Sequence, residues 1–120
     1  MASDFYCKER TSAVYTSTIE DDQGNAIPLA SISSIQLTLH DVATGEIINS
    51  RDDQDVLNAN NVTIHATSGL LTWVLQLEDN IIQTAVSVVE HHIALFEFIA
   101  SGRSSKHEVN VYVSNLSKVP

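Results

Sequence analysis

An all-β fold, a single antiparallel β-sandwich with one or two short helical turns, is what this sequence predicts. The first observation is punctuation. All four glycines (Gly24, Gly45, Gly69 and Gly102) fall between runs of alternating apolar and polar residues. Glycine supplies the positive φ that strand reversals need, so this placement marks turns. The second is the period of those runs, which is two, with many Val, Ile, Thr and aromatic residues. The third is length: 120 residues suit one compact domain, and 43% hydrophobic content supports a core over most of it.

Taken in order, "AVYTSTIE" sets Ala13, Tyr15, Ser17 and Ile19 against Val14, Thr16 and Thr18, which leaves the buried side open. "IQLTLHD" is cleaner, with Ile35, Leu37 and Leu39 facing one way and Gln36, Thr38 and His40 the other. Residues 46–50 predict a short strand after the "TGE" turn. "NVTIHAT" alternates Val62, Ile64 and Ala66 with Thr63, His65 and Thr67, and "LLTWVLQL" sets Leu71, Trp73, Leu75 and Leu77 on the core face. "HHIALFEFIA" is apolar on both faces up to Glu97, the pattern of a central strand covered on both sides. "KHEVNVYVS" turns Val109, Val111 and Val113 inward. Short helical turns are expected in "DVLNAN" and in "LEDNIIQTAVS", where Asp79 would cap a turn carrying Ile81 and Ile82; "TAVSVVE" reads alternatively as an edge strand. About seven such strands predict an immunoglobulin-like or jelly-roll-like sandwich over residues 13–114. It is flanked by a polar N-terminal arm, 1–12, and a short tail, 115–120.

Composition excludes whole classes of function. A formal net charge of −9, from 15 acidic and 6 basic side chains, repels phosphate, so neither nucleic acid nor an anionic membrane is an expected partner. One cysteine, Cys7, allows no internal disulfide and suits synthesis in a reducing cytoplasm. No cationic start leads into an apolar run, and the apolar stretches are too short for a helical membrane span.

Candidate chemistry is thin. "SRDDQDVLNANN" spaces Asp53 and Asp55 like calcium ligands, yet it has neither the glycine nor the distal glutamate of a calcium loop. We read it as a capped turn in which Asp52 or Asp53 caps, Val56 and Leu57 plug the core, and Asn58, Asn60 and Asn61 take left-handed or turn conformations. Adjacent His91 and His92 point to opposite faces of a strand, so both cannot readily hold one ion. One of them, with His107 and Glu90 or Glu108, would make a sparse site; Asp53, Asp55, His91 and His107 are thus the weak metal candidates. No acid pair, nucleophile motif, phosphate loop or dinucleotide fingerprint stands out, and Trp73 reads as a core plug. The expectation is a non-enzyme with no cofactor. Phe5, Tyr6, Cys7, Glu97 and Tyr112 are the candidate interface residues, from the arm, a carboxylate within "ALFEFIA" and an exposed strand aromatic.

The acidic-Gly turn at Asp22 and Gly24, "IPL" at 27–29, "D-x-x-TG-x-I-I-N" at 41–49 and "RDDQDVLNANNV" carry a resemblance, continued by "SGLLTWVLQLEDN", "HIALFEF" and "KH-x-V-x-V". Over most of residues 11–120 the chain resembles small immunoglobulin-like virion structural proteins of tailed bacteriophages. Its first part is distantly similar to the N-terminal domains of phage baseplate upper proteins. The resemblance implies a structural protein of the particle, made in the host cytoplasm and present in multiple symmetric copies. Its implied partners are other virion proteins: major capsid, portal or adaptor, or tail proteins. It would dock as a decoration or accessory protein through its N-terminal arm and a sheet edge. The alternative is an immunoglobulin-like binding module that displays a fibre or recognises host-surface glycans, with Tyr15 or Tyr112 as the exposed aromatic.

Overall fold

A computed structural model describes residues 3–21, 23–83 and 88–116. The fold is all-β, a sandwich of two sheets. Its strands are β1 (Ser3–Lys8), β2 (Val14–Thr18), β3 (Ile32–Asp41), β4 (Gln54–Asp55), β5 (Val62–Ile64), β6 (Leu70–Val74), β7 (Val89–Ala100) and β8 (Arg103–Ser114). The larger sheet has the order β1-β8-β7-β3-β4 and the smaller β2-β6-β5. Helix is confined, among the described residues, to 3-10 turns at Leu29–Ser31 and Leu77–Asn80.

The period-two faces predict the core well. Ile35, Leu37 and Leu39 of β3, Ala94, Phe96 and Phe98 of β7, and Val109, Val111 and Val113 of β8 are buried beneath Tyr15, Leu71 and Trp73 of the smaller sheet. Trp73 is fully buried and meets Phe96 edge to face, with ring centroids 5.7 Å apart, so it is the core plug expected. Tyr15 and Ile19 settle which side of β2 is buried.

Several expectations need correction. Residues 3–8 are not a free arm: β1 pairs in parallel with β8 of its own chain, Ser3 opposite Val109 through Lys8 opposite Ser114. The sandwich is therefore mixed rather than purely antiparallel. Residues 46–50 make no strand, only an isolated bridge between His40 and Ile47. Strand β7 is covered on one face only. Its outer side chains His91, Ile93, Leu95 and Glu97 are half-buried, because a two-layer chain offers no third layer to cover them. Leu77 is exposed, since the chain leaves the sheet after Val74 and enters its 3-10 turn. That turn stops at Asn80, short of the helical stretch expected through residue 87, and residues 84–87 lie outside the described set, as do 117–120 of the tail.

The acidic loop behaves as read in its plug and its asparagines but not in its cap or its helical turn: the Leu57 N–H goes to Asp55, and Asp53 bonds Thr38 instead. Val56 is fully buried and Leu57 half-buried, and Asn58, Asn60 and Asn61 have φ of 49°, 54° and 71°. Asparagine tolerates that left-handed region better than most residues. In place of a helical turn, Gln54 and Asp55 form the short strand β4 against Gln36 and Leu37.

Candidate functional site

Among the described residues, chemistry gathers at a buried polar end of the core, at a buried ion pair beside Trp73 and at an open sheet edge. The buried end follows from the strand period. The inward row of β3, Ile35–Leu37–Leu39, continues to Asp41, and the inward row of β7, Phe98–Phe96–Ala94, continues to His92 and Glu90. Asp41 lies directly opposite His92 in the β3–β7 register. Donor atoms of Asp41, Glu90 and His92 all come within 4.8 Å of one another, and all three residues are buried. His92 Nε2 and Glu90 Oε1 are 2.7 Å apart. The Gln83 N–H donates to the same Glu90 oxygen at 2.6 Å, and the Thr44 hydroxyl donates to Asp41 Oδ2 at 2.8 Å. Among the described residues, Asp41 Oδ1 and His92 Nδ1 have no hydrogen-bond partner.

Beside Trp73 lies a second buried polar group, Arg51 with Asp79. The guanidinium grips the carboxylate with both prongs: Nε donates to Oδ1 at 2.6 Å and Nη2 to Oδ2 at 3.0 Å. Arg51 also donates to Gln54 Oε1 (2.8 Å) and to the Asn60 carbonyl (3.2 Å), which ties the acidic loop to the 3-10 turn. Asp79 accepts in addition from Asn49 Nδ2 and the Gln76 N–H, each at 2.8 Å. Asp79 is not the cap of a turn carrying Ile81 and Ile82, as expected; it is the third residue of a turn that ends at Asn80, its carboxylate accepts from the Gln76 N–H at the N-cap, and its principal partner is Arg51. This network is full, and it is structural.

The weak metal candidates do not converge. Asp53 and Asp55 are exposed and locked into local bonds, Asp53 with Thr38 and Asp55 with the Leu57 N–H. His91 lies on the outer face and bonds Asn110 Oδ1 at 2.9 Å. His107 stands opposite Phe96, several rows from His91, which pairs with Tyr112. Its Nε2 contacts the Tyr15 hydroxyl at 2.6 Å, and burial pushes its pKa below the ordinary histidine value. Among the described residues, the grouping with metal-ligand potential is Asp41, Glu90 and His92 instead.

The open edge is β1. Its inward residues, Phe5 and Cys7, are half-buried against the core: Phe5 meets Tyr15 edge-on at 5.4 Å, and Asn80 Nδ2 lies 3.8 Å from the Cys7 sulfur. Burial raises the Cys7 thiol pKa, which leaves it a poor nucleophile. Asp4, Tyr6 and Lys8 face outward. Tyr6 is 72% exposed and stacks on Tyr112 at 5.0 Å, and Tyr112 stacks on His91 at 4.7 Å. Partial desolvation and the nearby Asp4 charge hold the Tyr112 phenol above its usual pKa. The row below repeats the idea in polar form, with Asn110 donating to Asp4 Oδ1 at 3.0 Å. Of the interface candidates, the fold thus unites Tyr6 and Tyr112, while Phe5 and Cys7 serve the core. Glu97 sits elsewhere on the outer face, 3.8 Å from Lys106.

Backbone direction completes the edge. The Glu9 N–H donates to the Ser114 carbonyl, so odd-numbered residues of β1 turn their backbone groups toward β8. The N–H and C=O groups of Asp4, Tyr6 and Lys8 therefore point away from the sheet. No family model matches this chain, and no curated protein or solved structure matches it.

Proposed function

We propose that this chain is a non-enzymatic structural component of a tailed-phage particle, docking on the capsid or the head–tail or tail assembly as a decoration or accessory protein. The sequence resemblance supplies the setting. The observation that carries the docking mechanism is the self-complementary edge of β1. When two copies meet antiparallel across a two-fold axis at Tyr6, Asp4 falls opposite Lys8 of the other copy and Tyr6 opposite Tyr6. The outward backbone groups of Asp4, Tyr6 and Lys8 are then in register to form six hydrogen bonds. The two aromatic stacks join into one, and each carboxylate meets an ammonium. An unpaired edge is a template for another strand, and this one is flanked by charges that suit its own kind. Both faces of Tyr112 are covered, by Tyr6 and His91, which counts against a sugar platform there; Tyr15 is 5% exposed and offers none.

Deleting the first ten residues is a poor test, because it strips Phe5 and Cys7 from the core. Tyr6→Pro is cleaner, since the Tyr6 N–H points away from β8 and makes no bond among the described residues. Particles purified on a density gradient from producing cells should contain the wild-type protein by mass spectrometry and lack the Tyr6→Pro variant. The variant's circular dichroism should match wild type. Absence of the wild-type protein from particles would overturn the virion reading; normal incorporation of a folded Tyr6→Pro variant would overturn the edge mechanism.

A further inference from the structure

We propose that Asp41, Glu90 and His92 form a binding site for a divalent first-row transition ion of the Zn²⁺ or Mn²⁺ class, which clamps β3 to β7. The site depends on neither the virion reading nor the β1 edge, and sheet geometry builds it. Residues two apart on a strand share a face, and a residue opposite one of them on the next strand completes a three-cornered donor set. Glu90 and His92 are the pair on β7, and Asp41 is the third corner on β3. Their donor atoms lie within 4.8 Å of one another. An ion about 2.1 Å from each donor holds them roughly 3–4 Å apart, so side-chain torsion closes the site without moving a strand.

Burial supplies the second argument. Asp41 and His92 are 0% exposed, and each presents a polar atom, Oδ1 and Nδ1 respectively, that nothing in the described structure satisfies. Orphaned polar atoms are rare in cores because each forfeits its hydration, so two on facing residues of one cluster call for a ligand. Asp41 takes part in no ion pair among the described residues, and the buried Arg51 is committed to Asp79. A divalent cation held by Asp41 Oδ1 and His92 Nδ1 satisfies both orphaned atoms and balances the Asp41 charge in one step.

The donor set chooses the ion class. Two carboxylates and an imidazole suit Zn²⁺, Mn²⁺, Fe²⁺ or Co²⁺, whereas Ca²⁺ and Mg²⁺ favour all-oxygen shells. The supporting contacts are also present: the Thr44 hydroxyl orients Asp41 and the Gln83 N–H orients Glu90. The site is enclosed, so the ion's role is structural. In the metal-free chain His92 Nε2 and Glu90 Oε1 lie 2.7 Å apart, and Nδ1 is the ring nitrogen left for the ion.

The test uses the full chain, stripped with a chelator and titrated with ZnCl₂, MnCl₂ and CoCl₂ by calorimetry, alongside thermal melting. Saturable binding at one ion per chain is expected for at least one of the three, with a melting temperature that climbs as that metal is added. Asp41→Asn and Glu90→Gln, each checked for a wild-type circular dichroism spectrum, should lose the stoichiometric titration, while His65→Gln and His91→Gln retain it. Absence of saturable binding by wild type with all three ions overturns the site. So does binding that survives in a folded Asp41→Asn variant or disappears in His91→Gln. His92→Gln is the further variant if Asp41→Asn fails to fold, and retention of the titration by it would likewise refute the assignment.

Discussion

Replacing Asp79 with alanine would strand a guanidinium in the core. Arg51 and Asp79 are 1% and 0% exposed, so the Arg51 charge has no route to water once its partner is gone. The two prongs at 2.6 and 3.0 Å vanish together, and the remaining acceptors, Gln54, Asn60 and Gln76, are uncharged. Breaking a buried, hydrogen-bonded pair from one side costs about 3–5 kcal/mol. The Asn49 amide and Gln76 N–H lose acceptors as well, which places Asp79→Ala at the upper end of that range. For a domain of this size the melting temperature should drop on the order of 10–25 °C. Urea denaturation followed by fluorescence is a direct assay, because Trp73 is the sole tryptophan, is fully buried, and has the Arg51 guanidinium 5.9 Å from its ring centroid. The double replacement Arg51→Met/Asp79→Leu should recover most of the loss, since it removes both desolvated charges. A loss below about 1 kcal/mol for Asp79→Ala would refute the reasoning, for that is the scale of a solvated surface pair.

Two further outcomes follow from local geometry. Gly69→Ala should destabilise the fold by at least about 1–3 kcal/mol in urea titration, because Gly69 has φ +72° and an added Cβ would lie 2.7 Å from the Ile27 carbonyl oxygen; Gly45→Ala, where nothing lies within 4 Å, should cost less. His107 has a pKa lowered by burial, so the unfolded chain takes up its proton first as pH falls. Its contribution to stability is intact above the unfolded value near 6.5 and declines as pH drops from there toward the lower folded value. The fall in urea midpoint between about pH 7.5 and 5.5 should therefore be smaller in His107→Gln than in wild type.

Much of the sandwich was legible in the alternation of the chain. Ile35, Leu37 and Leu39, and Val109, Val111 and Val113, needed only a period-two reading to be placed inward. The same reading, carried one step past Leu39 and two past Ala94, reaches Asp41, His92 and Glu90. The signal for the buried cluster was thus present, but polar residues at strand ends ordinarily belong to solvent. Arg51 gave no such sign. It sits in a run of aspartates and asparagines, and its burial depends on Asp79, 28 residues away. The β1–β8 pair was equally hidden, because parallel pairing leaves no turn signal between its members and "MASDFYCKER" is mostly polar. The half-covered outer face of β7 shows the converse limit: an apolar run states what can be buried, not how many layers exist to bury it.

Strand β1 has a consequence for the order in which the molecule is made. Ser3 waits for Val109, so at about 5–20 residues per second a nascent chain carries "DFYCK" for roughly 5–20 s before β8 exists to receive it. During that interval both sides of the segment are bare, and Phe5 and Tyr6 are free to stick to anything extended that passes. Closing a contact across nearly the whole chain is slow for entropic reasons, and it cannot precede the emergence of β8. Neighbouring ribosomes on one message hold several such segments close together. A newly made chain thus meets its own kind while its first strand is still uncommitted.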